Sequence, residues 1–336
     1  MGHRANLILV DESDFSLYFC HWCALNIPGN LFWGPTHAQA FIQNQELEQW
    51  GWLDTNWAEG GVVFDPFQKV LLFWGGEDLR FDSSLRRTYF ELMQYQWPDW
   101  ELRWAHQGQL DLADYLNIES SVLITPDVAS TEMSVPTRPS DLALVDFVIT
   151  INFEDEGLWV FPIDSGYYFL SWLARGPVIL EKSKAEREFQ TFDFQAQGVD
   201  FPFAGIHIDE AERLMTIWSA DAFHLPAEIS IKWPGWRFDL INADSAQHAS
   251  LTNGAITLPE PDQELHLNQL AEILLPQSPS PLDALANMME RYKAEDKNVQ
   301  VNPHAMQYNP LELSEEVKAE IFGDAVQKWR QRRHLE

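Results

Sequence analysis

The chain has 336 residues and a formal net charge of −29, from 51 acidic against 22 basic residues. Its 46% apolar content is enough for a substantial core and argues against disorder over most of its length. Binding a polyanion requires a positive footprint, so this balance excludes direct nucleic-acid binding as an expectation and admits a protein partner, a basic one included.

No apolar run approaches the roughly 18–20 residues that span a bilayer. The start "MGHRANLILVDES" lacks the long apolar region of a signal peptide, and the myristoylation motif wants Ser or Thr where Asn6 stands. The expectation is a cytoplasmic protein with no membrane partner.

In chain order, "ANLILVD" (5–11) and "SLYFCHW" (16–22) are β-rich runs joined by polar residues, a hairpin signal. "PTHAQAFIQNQELEQW" (35–50) predicts a helix with Pro35 near its start, where a missing N–H costs little. "GVVFD" (61–65) and "KVLLFW" (69–74) predict a second hairpin, "SLRRTYFELMQYQW" (84–97) a second helix and "DWELRWA" (99–105) a strand. The Ser-, Thr- and Pro-containing stretch 119–142 predicts a connector. Residues 259–336 predict a linker and helices, ending in the amphipathic "PLELSEEVKAEIFGDAVQKWRQRRH", with acids early and bases late as the helix dipole prefers.

Cys20 and Cys23 form a single C-x-x-C. A structural zinc site needs further ligands at recognisable spacing, so no metal is expected, and no cofactor motif appears. A strand places residues three apart on opposite faces, which predicts two unbridged thiols.

The chain repeats itself. Set "GVVFDPFQKVLLFW" (61–74) against "GIHIDEAERLMTIW" (205–218): Gly61 falls on Gly205, Asp65 on Asp209, Lys69 on Arg213 and Trp74 on Trp218, at an offset of 144. "WPDW" (97–100) returns as "WPGW" (233–236), Gly34-Pro35 as Gly176-Pro177, and the hairpin around Leu17 as the one around Leu158. Ordered landmarks at nearly one offset predict two similar α+β units, 3–118 and 143–258, each a mostly antiparallel sheet with helices. Matched tryptophans predict shared core positions.

Residues present in one copy only are the candidates for a site. His3, Arg4 and His21 lack counterparts in the second copy, and Glu59 faces Phe203 or Ala204 there. Glu77, which faces Asp221 in the second copy, and Trp33 complete the candidate binding set, with Trp50, Trp52 and Trp57 as further unmatched aromatics. Histidine beside carboxylates is general acid–base material, and Arg4 could hold Glu59 in a two-pronged hydrogen bond. The familiar hydrolase, metalloprotease and phosphate-loop signatures are absent from the sequence, and a superficial cyclase-like "WGGED" lacks its flanking pattern.

The stretches "MGHRAN", "SLYFCHW", "LFWGPTHA", "EGGVVFD", "LLFWGGE", "LRRTYFELM" and "WPDWELRWA" together resemble a family of uncharacterised bacterial proteins that open MG-x-RAN and carry a Trp-Pro-x-Trp segment about a hundred residues in. The resemblance covers roughly residues 1–118 and implies no activity, ligand or catalytic assignment. Two functions are therefore carried forward: an acidic interaction protein of regulatory or toxin-neutralising type, or a hydrolase-like enzyme with a His/Glu site in the first unit.

Overall fold

The structure is a computed structural model and describes residues 3–48, 51–124, 145–164, 169–243, 245–295, 297 and 300–333. Most of the connector, 125–142, therefore lies outside the described residues, as does Trp50. The chain divides into two compact units, the first Met1–Arg80, Ser84–Thr125 and Asp262–Glu336, the second Phe81–Ser83 and Pro126–Pro261.

The first unit begins with the hairpin β1 (Ala5–Val10) and β2 (Phe15–Cys20), followed by a 3-10 turn at Ala24–Asn26, α1 (Ile27–Leu31), α2 (Pro35–Gln43) and a short β3 (Glu46–Leu47). The second hairpin is β4 (Gly60–Asp65) and β5 (Val70–Trp74), followed by α3 (Glu77–Phe81), α4 (Ser83–Met93), β6 (Glu101–Trp104) and α5 (Gln109–Tyr115). The sheet order is β3-β2-β1-β4-β5-β6. Both strands of the β4–β5 hairpin are buried at every residue, which is why they read as continuous apolar runs rather than alternating ones.

The second unit runs β7 (Val145–Phe153), β8 (Gly157–Asp164), α6 (Phe169–Leu173), α7 (Val178–Ala185), β9 (Phe192–Asp193), β10 (Ala204–Asp209), β11 (Leu214–Ser219), α8 (Ala227–Lys232), β12 (Arg237–Leu240), α9 (Ser245–Leu251) and β13 (Ile256–Thr257). Its main sheet is ordered β12-β11-β10-β7-β8. Apart from the edge strand β3, the two sheets have one design. Each hairpin is antiparallel, the two hairpins meet along a parallel seam (β1 on β4, β7 on β10), and the last strand joins in parallel (β6 on β5, β12 on β11). The class is α+β as expected, with sheets that are mixed: helices between the hairpins provide the crossovers that parallel pairing needs.

The matched residues hold matched posts. Trp97 and Trp233 are both fully buried, and their indole N–H groups donate to the carbonyls of Leu31 (3.0 Å) and Leu173 (2.7 Å). Gly34 and Gly176 take positive φ, and a Cβ at either would press on the carbonyl oxygen just before the tryptophan, that of Gln96 or Lys232. Glycine is required there by both conformation and space. Asp65 accepts from the N–H groups of Phe67 and Gln68, and Asp209 from that of Glu212, each closing its hairpin loop ahead of a positive-φ Lys69 or Arg213.

Two details depart from the sequence pattern. The helix predicted over 35–50 stops at Gln43. The Gln45 side chain donates to the Phe41 carbonyl in the last turn and to the Asn309 carbonyl, and the chain then pairs with β2 as β3. The cysteines are also bridged, which corrects the expectation of two free thiols. The strand-face argument fails because β2 ends at Cys20, and Cys23 lies beyond the turn with the two Cα atoms 5.8 Å apart.

The C-terminal part of the first unit comprises α10 (Gln263–Leu274), α11 (Pro281–Ala294) and α12 (Glu315–Arg333). Helix α12 buries Lys318, Phe322, Ala325 and Trp329, a single stripe at helical spacing. Trp329 donates to the Glu91 carboxylate at 2.6 Å, and Lys318 bonds the Pro276 carbonyl and Glu312. Among the described residues, no helix is long and apolar enough to cross a membrane.

The shared indole posts give the first prediction. Trp97→Phe and Trp233→Phe should each lower stability by about 1–3 kcal/mol, because a buried carbonyl loses its donor. Denaturant melts of the two variants should give similar losses; a large loss for one and none for the other would refute equivalent roles.

Candidate functional site

The parallel seam of the first unit places Ala5 opposite Gly60, so the residues just before them meet at one end of the sheet. The Arg4 N–H donates to the Glu59 carboxylate at 3.0 Å, and the Glu59 N–H donates to the Arg4 carbonyl at 2.8 Å. His3 Nδ1 lies 3.9 Å from the other Glu59 oxygen, both side chains being roughly a third to two-fifths exposed. His3, Arg4 and Glu59 therefore do cluster.

The cluster is held differently from the two-pronged bond expected of Arg4. Its guanidinium lies 4.4 Å over the Trp57 ring, and the backbone N–H makes the hydrogen bond to Glu59. The His21 ring packs edge-on against Phe19 and Trp22, and its backbone carbonyl accepts from His3 N–H at 2.9 Å.

The other two candidates fall elsewhere. Trp33 is a core residue, buried, with its indole N–H on the Gly29 carbonyl at 2.6 Å and its ring against Phe32. Glu77 is the exposed first residue of α3. Of the unmatched tryptophans, Trp52 packs on the Leu110, Ala113 and Leu123 cluster and Trp57 is exposed under Arg4.

What the sequence did not disclose is a cleft of about 720 Å³ that joins this end of the sheet to the C-terminal segment. His3, Cys20, Trp22 and Cys23 line one side, the 3-10 turn, α1 and α2 contribute Asn26, Asn30 and Phe41 in that order, and residues 272–312 supply the opposite wall. Side chains pin the walls together. The Trp22 indole donates to the Ala305 carbonyl at 3.0 Å, Asn26 bonds Ser278 at 2.7 Å, and His304 meets Glu46 at 3.0 Å.

The chemistry of the cleft is lopsided. Its lining is largely apolar, including Trp22, Phe41, Leu285, Met288 and Tyr308. Its carboxylates are Asp78, Glu272 and Glu312, and among the described residues no Lys or Arg lines it. Glu312 is matched by Lys318 at 2.8 Å, leaving Asp78 and Glu272, both exposed, to set the sign of the cleft.

The second unit holds a different polar feature. Trp218 N–H donates to His248 Nδ1 at 2.8 Å, which fixes the His248 proton on Nε2. That nitrogen donates to the Thr150 hydroxyl at 2.7 Å, leaving the hydroxyl proton for His207 Nδ1 at 2.9 Å. Thr150 and His207 face each other across the parallel seam where the first unit pairs Ile8 with Val63. His248 lies 136 residues after Leu112, the spacing that separates Trp97 from Trp233. In the first unit, accordingly, the Trp74 indole N–H is buried with no hydrogen-bond partner among the described residues. Asymmetry between the copies was the signal that could have found this chain, had it been read from the second copy as well as the first. Its links satisfy one another, so it orders a core rather than awaiting a ligand.

No protein-family model, curated protein or solved structure matches the chain.

Burial governs the titration of these histidines. It lowers His248 to about 3, with His207 adding to the effect, and it also lowers His207, against the pull of Asp209. In the first unit burial, helped by Arg86, lowers His106 to about 4. The unfolded chain takes up these protons near pH 6.5. The stabilisation is thus complete above that value and is lost as pH falls toward 3. His248→Leu, which copies the Leu112 arrangement, should flatten the slope of unfolding free energy between pH 6.5 and 4. An unchanged slope in that variant would show that His248 does not carry it.

Proposed function

We propose that this chain is an acidic cytoplasmic interaction protein, of regulatory or toxin-neutralising type, whose first unit docks a basic, apolar-bearing segment of a protein partner. The observation that carries the reading is the cleft: apolar along its walls, bearing Asp78 and Glu272, and without a lining cation among the described residues. An occupant that buries Leu- or Phe-type side chains and presents Lys or Arg to those two carboxylates fits both properties. Partly desolvated charges of opposite sign set the register of such a segment and exclude acidic competitors.

A hydrolase-like reading keeps one observation in its favour. His3 lines the cleft and stands beside Glu59, the pairing that orients an imidazole for proton transfer. Against it, both cysteines are bridged, and the serines that line the cleft, Ser278 and Ser280, belong to its opposite wall.

The test compares fluorescent amphipathic peptides of one apolar pattern, carrying either Lys or Glu, by anisotropy. The Lys peptide should bind, and Asp78→Asn with Glu272→Gln should weaken it about tenfold, or about 1.4 kcal/mol. Because the chain carries a net charge of −29, losing two charges would hardly alter general attraction. Equal binding of the Lys and Glu peptides, or no effect of the double substitution, overturns the reading. Turnover of a p-nitrophenyl ester that disappears with His3→Ala would favour the hydrolase instead.

A further inference from the structure

Four features converge on the C-H-W-C segment. First, the disulfide closes a loop of only four residues, the kind of crosslink that restricts an unfolded chain least. Its worth as a structural staple is correspondingly small. Second, both cysteines line the cleft, together with Trp22 between them and His3 alongside. Third, Cys20 is the last residue of β2, and Cys23 directly precedes the helical turn that leads into α1. The pair therefore spans the junction between a strand and a short helical turn, not a regular strand.

The fourth feature is that the segment does not need the bridge to keep its shape. His3 N–H donates to the His21 carbonyl, and Ala24 N–H donates to the His3 carbonyl, each at 2.9 Å. Asn26 N–H donates to the Cys23 carbonyl at 2.9 Å, and the Trp22 indole is held by Ala305. Bonds to two distant parts of the chain, His3 and Ala305, and one within the turn brace the segment independently of the S–S bond.

We propose that Cys20 and Cys23 form a redox-active pair that exchanges disulfides with dithiols entering the cleft. One thiolate of the dithiol attacks a cysteine sulfur. The protein S–S bond breaks, and its electron pair leaves on the other cysteine sulfur, which takes a proton from solvent. The second thiolate then attacks the mixed disulfide and expels the first cysteine sulfur, which is protonated in turn. The dithiol ends as a disulfide, and the protein pair has gained two electrons and two protons. A disulfide oxidant reverses both steps. The exchange chemistry stands by itself, and that the natural dithiol belongs to a basic polypeptide rests on the docking reading above.

The experiment uses the native full-length chain with dithiothreitol at neutral pH, followed by acid quench and maleimide labelling read by mass. Two labels per chain should enter within minutes of reduction, with the melting temperature little changed, and oxidised glutathione should remove both. Labelling that requires prior unfolding in guanidinium overturns the proposal, because the bridge is then structural. Two labels that oxidised glutathione cannot remove also overturn it, because the pair then does not cycle.

A second arm separates the substrate from the chemistry. Cys20→Ser and Cys23→Ser are each offered a cysteine peptide carried as its thionitrobenzoate mixed disulfide, flanked by Lys or by Glu. At least one variant should release the coloured thiol about tenfold faster from the Lys peptide, and Asp78→Asn with Glu272→Gln should erase that preference. Release by neither variant overturns the exchange chemistry. Equal release from both peptides leaves exchange standing and refutes only the basic-polypeptide substrate.

Discussion

Each unit depends on a buried indole hydrogen bond. Trp97 and Trp233 have no access to solvent, so each N–H must find a protein acceptor, and each takes the carbonyl of a residue at the end of a short helix, Leu31 or Leu173. That bond ties the turn before the last strand to the crossover that carries the chain from the first hairpin to the second. The Gly-Pro step after the helix exists to let the turn come close, as the crowded approach of Gln96 and Lys232 to Gly34 and Gly176 shows. With the crossover fixed, the parallel seam of β1 on β4, or β7 on β10, has one register.

On that shared frame the two units differ in interior chemistry rather than in topology. At the seam the first unit is aliphatic, pairing Ile8 with Val63 beside Leu112, whereas the second threads Thr150, His207 and His248 into one hydrogen-bonded chain ending on Trp218. The tryptophan holds the same place in both, and among the described residues its N–H has an acceptor only in the second. The first unit has its polar groups at the sheet end instead, where the His3 and Glu59 side chains are partly exposed and Arg4 is half-buried.

Much of the frame was legible in the sequence because it rests on local signals. Asp65, Gly34, Trp74 and the Trp-Pro-x-Trp segments are residues with narrow conformational or packing demands, and their ordered return disclosed the second copy. The parallel seam was less visible, since buried central strands such as "GVVFD" show no alternation from which pairing direction could be read. The candidate site was half legible. Absence from the second copy picked out His3, Arg4 and Glu59, which do meet. It also picked out Trp33, which is unmatched yet buried in the core, because a residue can be unique to one copy for packing against a segment the other copy lacks. Lys318 of α12 lies 6.0 Å from the Trp33 ring. The cleft itself could not be foreseen, since its opposite wall comes from residues more than two hundred positions away.

That distant wall also sets an order of events during synthesis. The first unit is written in pieces on either side of the second, with residues 126–261 between Thr125 and Asp262. At ~5–20 residues per second, the strands of the first sheet wait roughly 7 to 27 seconds before α10 begins to emerge. Throughout that interval the faces that α10 and α12 will cover, with Phe32 and Glu91 among them, stand open to water and to chaperones. The second unit has no such wait, because its sheet is drawn from one continuous run of chain, 145–240. The nascent protein therefore completes its second module while the first is still unsealed.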